Sequence, residues 1–194
     1  GAQYRRSAAY HGDHHFIANR RLMCQTWAAR GVAAYCYRFN AVPNGVPWAR
    51  GATHFQEVAF VFRNELGVGY EAPVAEKPFA GKPESYVELA AMMAGMWAAF
   101  VVDLDPNAWA EGSGEEERGG PPGAAWMLGP GGGQRWPKYD LFCPTDFVFD
   151  ANVTSYVEMD TYRAAGIALI NANAAKVLGR RVSISILRPI PPAK

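Results

Sequence analysis

Residues 14–39 join a helical pattern to a strand-like one, and this pairing restricts the fold more than any other feature of the sequence. Within 14–30 apolar residues recur at near-helical spacing, and Asp13 stands where it would cap the first N–H groups. Gly31 is placed to end the helix. The run that follows, VAAYCYRF at 32–39, is short and almost wholly apolar, which is typical of a buried strand. This unit predicts an α/β fold, whose sheet is covered by helices on both faces.

Two segments in the middle of the chain carry further signals. Residues 57–62, EVAFVF, fit a short helix or a strand equally well, because six residues do not resolve the periodicity. The segment 83–107 predicts the clearest helix of the chain. Its apolar residues form one stripe, Pro83 stands at its entry, and Asp105 followed by proline marks its end.

The last third of the chain alternates a loop with regular structure. Residues 111–135 are mostly Gly, Pro, Glu and small side chains, which predicts a flexible exposed loop. A short strand is predicted around 147–149 and a helix at 159–177. With 194 residues, 49% of them hydrophobic, the chain can bury a sizeable core, and we expect one domain over 1–194.

Charge and hydropathy limit the partners. The formal charge of +1 comes from 19 basic and 18 acidic residues scattered along the chain, so no basic patch for nucleic acid is predicted. No membrane span is predicted either, because the most apolar segment, 86–102, contains Glu88 and is followed by Asp103. The N-terminus has neither Met nor an apolar signal segment, which predicts a processed or internal end.

The three cysteines, Cys24, Cys36 and Cys143, do not have the spacing of a zinc module. Their odd number leaves at least one thiol without a partner inside the chain, and the sequence does not decide any pairing. An Asn-Val-Thr triplet begins at Asn152 and forms an acceptor site for N-linked glycan. We therefore predict that Asn152 is glycosylated in a secreted protein, the alternative being an unused site.

His54 is the strongest candidate for chemistry. It lies between a Gly-Ala-Thr turn, Gly51 to Thr53, and the amphipathic run that opens with Gln56 and Glu57. A loop imidazole beside a regular element can reach a substrate, and its ordinary pKa lies near working pH. The alternative is a loop histidine that makes a structural hydrogen bond, and local sequence does not separate these two interpretations.

A second cluster of imidazoles, His11, His14 and His15, surrounds Asp13 and raises the possibility of a divalent metal. Because Gly12 and the predicted helix start at Asp13 would leave His11 outside the helix, the side chains are not expected to share a face. Solvated polar residues at a helix N-terminus are the preferred interpretation, and neither a metal nor another cofactor is predicted.

No nucleophile for a hydrolase is recognisable in the chain. The G-x-S-x-G pentapeptide of a strand-to-helix nucleophile elbow is absent. Ser113 is flanked by glycines but lies in the acidic loop, where nothing would hold its hydroxyl against a base. Cys24 and Cys36 lie on apolar elements, where a small buried hydrophobe is expected.

The order of several short segments nevertheless resembles a known family. The sequence runs from GD and a following Phe and Arg to YCYRF, then GATHFQEVAFVF, then a helix that ends in DPN, then WPKYD and FVFD. This succession, from about Gly12 to about Ile170, resembles the C-terminal third of the type-B carboxylesterases, which include cholinesterases and large fungal lipases and esterases. The His-Phe-Gln-Glu variant is similar to the fungal members.

The resemblance implies an α/β-hydrolase fold, a mixed sheet flanked by helices, of which this chain is the C-terminal part and which is incomplete without the upstream chain. It also implies that His54 is the base of a Ser-Glu/Asp-His triad. Because such triads follow the order Ser, acid, His, the nucleophile, the acid and the oxyanion-hole glycines would lie upstream of Gly1. Glu57 is too close to be the triad acid and is expected to be structural. Where many relatives have Gly after the histidine, this chain has Phe55.

The function implied is serine-type hydrolysis of a carboxylic ester, with an ester substrate and the N-terminal portion of the same hydrolase as partners, in a secreted protein. The chain alone would be inactive. The alternative is a catalytically inactive, cholinesterase-like protein used for adhesion or binding. The residue at the upstream elbow would distinguish the two, since a serine there supports the enzyme.

Overall fold

The computed structural model describes residues 2–69, 77–111 and 135–177, and the chain divides into two compact units that alternate along it. The helical unit takes in 1–36, 137–146 and 159–194, and the sheet unit takes in 37–136 and 147–158. Helices and strands occur together in the pattern expected of the α/β class. The prediction of a single domain over 1–194 stays a prediction.

The helical unit begins with one long helical stretch. Helix α1 (Ala2–Gly12) leads through a π-helical turn (Asp13–Ile17) into α2 (Ala18–Ala28). The predicted helix at 14–30 is therefore confirmed in type, but the start at Asp13 is wrong. Gly12 is itself helical, and the Asp13 carboxylate accepts a hydrogen bond from Arg163 at 2.7 Å instead of capping a helix.

The chain after α2 turns at Gly31, as predicted, and the strand predicted at 32–39 is confirmed only for its last three residues, Tyr37–Phe39. Gly31 has a φ of 71° that side-chain-bearing residues rarely adopt. Residues 32–36 form no strand, since Ala34 and Cys36 are buried against Cys24 and Tyr139 in the helical unit. Cys24 and Cys36 form a disulfide, a pairing the sequence left open.

The second half of the helical unit corrects another boundary. The predicted helix at 159–177 begins only at residue 164, because Met159 is the last residue of a strand and Arg163, with a φ of 47°, lies in the turn between them. Helix α6 (Ala164–Val177) packs against α2, and the Asn171 side chain donates to the backbone oxygen of Ala18 at 3.1 Å.

A cluster of buried charges, here called the ion cluster, ties distant parts of the helical unit together. The Asp160 carboxylate, 1% exposed, accepts hydrogen bonds from Arg20, Arg21 and Tyr139. The Asp146 carboxylate accepts one from Arg20 at 2.6 Å. Because a buried charge is costly unless it is paired, these contacts fix the ends of three chain segments relative to one another.

The two carboxylates of the ion cluster titrate in opposite directions. Burial raises the pKa of Asp146 to about 7, and Arg20 offsets this only in part. Burial also acts to raise the pKa of Asp160, but the hydrogen bonds from Arg21, Arg20 and Tyr139 outweigh it and hold that pKa below its ordinary range. Of the two carboxylates, Asp160 therefore stays negatively charged to lower pH.

Three strands form the sheet, in the order β1 (Tyr37–Phe39), β2 (Thr145–Phe149) and β3 (Tyr156–Met159). Strands β1 and β2 are parallel, with Tyr37 opposite Phe147 and Phe39 opposite Phe149. The short connection from β2 to β3 excludes the crossover that a parallel pair needs, so β3 runs antiparallel to β2 and the sheet is mixed. The strand predicted at 147–149 is confirmed, whereas β3 was not predicted.

The sheet unit contains a cluster of aromatic rings. Rings from β1, from β2 and from the helix α4 (Ser85–Asp103) lie at centroid distances of 4.9–5.8 Å, and Trp136 joins them from the segment before β2. The pairs are edge-on or tilted, except that Trp136 and Phe147 are stacked. The rings belong to Tyr37, Trp97, Trp136, Phe147 and Phe149. Such contacts favour one packing arrangement because edge-to-face pairs are directional.

Helix α4 (Ser85–Asp103) confirms the clearest helix prediction. It ends where Leu104 takes a left-handed φ of 57°, just before Asp105. Gly95 faces the indole of Trp109 in the short helix α5 (Ala108–Glu111), at a place where a Cβ would collide with the ring. By length and composition alone α4 could span a membrane, but eight of its residues are buried in this unit, as in a core helix.

Most of the loop predicted at 111–135 lies outside the described residues, as do residues 70–76 and everything after 177. The two sides of this stretch are joined by the buried side chain of Asn107. Its Oδ1 accepts from the backbone N–H of Trp136 at 2.8 Å, and its Nδ2 donates to the Trp136 carbonyl at 3.0 Å. Residues 107 and 136, one on each side of this stretch, are therefore neighbours in the sheet unit.

Candidate active site

His54 lies in a four-residue turn, Thr53 to Gln56, in the sheet unit. The backbone N–H of Gln56 donates to the Thr53 carbonyl at 3.3 Å. The Gln56 side chain closes the same turn a second time, because its Oε1 accepts from the Thr53 N–H at 3.1 Å and its Nε2 donates to Thr53 Oγ1 at 2.8 Å. We call this set of hydrogen bonds the turn clamp.

The first three residues of the turn are exposed and the fourth is buried. The imidazole of His54 is exposed and Phe55 is 47% exposed, whereas Gln56 is only 4% exposed. The rings of His54 and Phe55 meet edge to face with centroids 6.3 Å apart. The turn therefore presents an imidazole to the outside while its glutamine is buried beneath.

Phe55 has a φ of 76°, a value that type II turns require at their third position and that glycine adopts most easily. An L-residue pays a steric cost there because its Cβ approaches the backbone. Gly51, before the turn, also has a positive φ, of 72°, and a Cβ at this glycine would meet open space. Gly51 is thus needed for its backbone conformation and not for close approach.

Helix α3 (Val58–Val61) holds the turn against the sheet unit and resolves the ambiguous segment 57–62 as helical. It begins directly after the turn, where the Phe60 N–H donates to the Glu57 carbonyl at 3.0 Å. The buried ring of Phe60 contacts Phe39 of β1 at a centroid distance of 4.9 Å and Phe79 at 4.8 Å. The position of His54 is therefore set by a short path of contacts to β1.

Glu57, which was predicted to be structural, affects the pKa of a tyrosine on β1. Burial raises the pKa of the Tyr37 phenol, and the negative charge of Glu57 adds to the shift. The carboxylate of Glu57 is thus close enough to β1 to influence a phenol there. Sequence analysis named Gln56 beside Glu57 at the start of the run but did not predict its buried side chain or the turn clamp.

The histidines near the N-terminus take a different arrangement from the predicted one. His11 is helical, which corrects the expectation that it lies outside the helix, because the helix runs on through Gly12. The rings of His11 and His15 stack at 3.9 Å, and Tyr10 contacts His14 at 4.5 Å. Within 2–69, 77–111 and 135–177, no three His, Cys, Asp or Glu side chains are grouped to hold a metal.

The other residues singled out from the sequence are two possible nucleophiles, Cys143 and Ser113, and the glycan acceptor Asn152. Cys143 is exposed and has a free thiol, whereas Ser113 lies outside the described residues. Asn152 is exposed in the connection from β2 to β3, where its backbone N–H donates to Asp150 Oδ1 at 2.8 Å. The structure thus leaves the predicted glycan acceptor at the surface, and its modification stays a prediction.

The chain is similar to known proteins in sequence and in part of its structure. A sequence model of the carboxylesterase family matches residues 2–150, a range that contains His54 and the turn clamp. No curated protein matches the chain. Among solved structures, the carboxylesterase EST55 of Geobacillus stearothermophilus is 28% identical, with a TM-score of 0.45 over 72% of this chain. The aligned region is 22% of that enzyme, so the chain spans only a small part of it.

The family match and the mixed sheet flanked by helices together confirm the predicted fold class, part of an α/β-hydrolase fold. The likeness to fungal members in particular stays a prediction. The chain belongs to the carboxylesterase family.

Proposed function

We propose that this chain supplies His54 as the general base of a serine-type carboxylic ester hydrolase. The observation that carries the proposal is the exposed imidazole of His54 on a clamped turn, inside the range that matches the family. A base must be reachable by a substrate and held in place, and this turn meets both requirements. The serine and the acid would come from upstream of Gly1.

The reaction is acyl transfer in two steps. His54 accepts the proton of the serine hydroxyl as its oxygen attacks the ester carbonyl, and it then donates that proton to the departing alcohol. In the second step His54 takes a proton from water, the hydroxide attacks the acyl-enzyme, and the serine leaves with the proton returned to it. The carboxylic acid is released.

The upstream portion of the same hydrolase is the proposed partner, and the chain by itself is inactive. Support comes from large apolar side chains at the ends of α3 and α4 that are 71–76% exposed in the described residues. They are Phe62, Val101, Val102 and Leu104. Apolar side chains of this size are usually covered in the complete protein.

Secretion is supported by two features of the described residues. The Cys24–Cys36 disulfide is typical of proteins from oxidising compartments. The exposed Asn152 offers its side chain to a glycosyl transferase in the secretory pathway. A glycopeptide mass for Asn152, from protein secreted by a eukaryotic host, supports this part of the proposal, and an unmodified peptide contradicts it.

The test is ester turnover by the full-length protein with His54→Ala. We expect p-nitrophenyl ester hydrolysis to fall by about 10³-fold or more, since members of a triad act as a unit. The circular dichroism spectrum should not change because His54 is exposed. His14→Ala is the matched control, and neither it nor a chelator should alter turnover.

Activity that survives His54→Ala contradicts the proposal. A wild-type protein that hydrolyses neither short nor long acyl esters favours the adhesion or binding protein. Chelator-sensitive activity that is lost in His14→Ala would instead restore the metal interpretation of the N-terminal histidines.

A further inference from the structure

The turn that presents His54 combines a sterically costly backbone with a weak backbone hydrogen bond. Phe55 has a φ of 76°, and the bond from the Gln56 N–H to the Thr53 carbonyl is long, at 3.3 Å. An aromatic residue does not favour this conformation, and a single long hydrogen bond holds it poorly. Something else must keep the turn closed.

The buried side chain of Gln56 provides that closure. Both polar atoms of its amide are used inside the turn, one on the Thr53 N–H at 3.1 Å and the other on Thr53 Oγ1 at 2.8 Å. Gln56 is 4% exposed, so water competes little for its amide, whereas Thr53, the partner in both bonds, is exposed. The side chain thus links the residues on either side of His54 and Phe55.

We propose that Gln56 and Thr53 are positioning residues for His54, which hold its imidazole at the place where the proton is transferred. This inference rests on the proposed function and goes one step further, because it gives the turn clamp a role in determining kcat. The clamp does not touch substrate. It restricts the backbone that carries the base, so that the imidazole arrives at the serine already placed.

The expected effect follows from the geometry of proton transfer. A general base acts within about 2.6–3.2 Å of the proton donor, and a misplacement of about 1 Å can cost on the order of 100-fold in rate. Loss of the clamp should therefore lower kcat by roughly 10- to 100-fold. KM should stay nearly constant because the ester is bound by other parts of the protein.

Three variants of the full-length enzyme separate the clamp from the rest of the turn. Gln56→Met keeps the length of the side chain and removes both of its hydrogen bonds. Thr53→Val keeps the shape and removes only the bond to Oγ1, and it tests the clamp even where Gln56→Met does not fold. Thr53→Ser retains the hydroxyl and should restore most of the wild-type kcat.

The same unit offers a matched control at Asn64. Its side chain also closes a turn twice, with Nδ2 donating to the Val68 carbonyl at 2.8 Å and Oδ1 accepting from the Val68 N–H at 3.0 Å. This turn is exposed and carries no candidate for chemistry. Asn64→Leu should leave kcat and KM unchanged, whereas Thr53→Val should lower kcat.

A readout without turnover makes the two proposals distinguishable. In protein labelled with ¹³C-histidine, the His54 Cε1–H signal should be single in the wild type and in Asn64→Leu, and should broaden or split in Gln56→Met and Thr53→Val. Unchanged kcat and an unchanged His54 signal in both clamp variants overturn the inference, even where His54→Ala is inactive. If His54→Ala keeps its activity, the proposed function fails, and the His54 signal alone decides whether the clamp positions the ring.

Discussion

The turn clamp and the ion cluster both hold a few polar side chains in place, but they join the chain over very different distances. Thr53 and Gln56 are three positions apart, whereas Arg20 and Asp160 are 140 positions apart. The clamp leaves its most reactive side chain, His54, exposed, while the ion cluster buries Asp160 almost completely. The ion cluster therefore joins distant parts of the fold, whereas the turn holds the residue proposed as the base.

The two regions differ in how much stability a substitution removes. An exposed loop side chain contributes little packing, so evolution can place a reactive group there at small cost in stability. Buried charges are different, because removing one partner leaves the other without compensation. Substitutions in the two regions should therefore affect different measurements.

The largest effect on stability is expected from Asp160→Asn. It leaves the guanidinium of Arg21, whose side chain is 5% exposed, without its buried counter-charge. Breaking such a pair should lower the free energy of unfolding by about 3–5 kcal/mol, measured by urea denaturation. Glu65→Gln, in an exposed pair with Arg63, is the control and should change it by less than about 1 kcal/mol. Equal decreases in the free energy of unfolding for the two substitutions would contradict the claim that the ion cluster stabilises the fold more than an exposed ion pair does.

An intermediate effect concerns pH and Asp146. Its ordinary pKa is 3.8, and burial raises it to about 7 in the folded chain. Between these values the folded state holds a proton that the unfolded state has released, so the free energy of unfolding decreases as pH rises through this interval. Asp160 shifts the other way, and its contribution is lost as pH falls below 3.8.

Thermal unfolding between pH 3 and pH 9 should show a maximum near pH 4, about the ordinary pKa of an aspartate. Asp146→Asn should abolish the decline toward pH 7 and keep the loss of stability in acid. If the wild type and Asp146→Asn have the same slope between pH 4 and pH 7, Asp146 does not titrate as described.

The smallest effect is expected in the turn, from Phe55→Gly. Glycine relieves the cost of the positive φ but is more flexible in the unfolded chain, so the free energy of unfolding should rise by less than about 1 kcal/mol. The control is Ala29→Gly, at an exposed residue whose φ is −61°, where glycine should lower it by roughly 0.5–1 kcal/mol. A decrease of the same size in both variants would show that Phe55 is not strained.

The separation of interacting residues along the sequence also explains how much of the structure could be predicted. The α4 helix was foreseen because proline and aspartate mark its ends within the segment itself, and His54 was singled out from its immediate neighbours. The helix and strand patterns at 14–39 predicted the α/β class, and the family resemblance narrowed it to the α/β-hydrolase fold. Local signals of this kind survive because no distant residue is needed to interpret them.

Features that depend on distant partners were missed or misplaced. Asp13 looked like a helix cap, but its partner, Arg163, lies 150 positions away. Strand β3 has too few residues to show a pattern and forms because β2 is beside it. With three cysteines, spacing alone did not select the pair Cys24 and Cys36.

The central claim, that His54 activates a serine, is tested most directly by the rate at which a fluorophosphonate labels the full-length protein. This reagent reports nucleophilic activation of a serine without ester binding or product release. We expect fast labelling of the wild type, and equally fast labelling of Asp160→Asn under conditions where this variant is folded. Labelling of His54→Ala should be at least about 100-fold slower. Equal labelling of the wild type and His54→Ala would contradict the central claim.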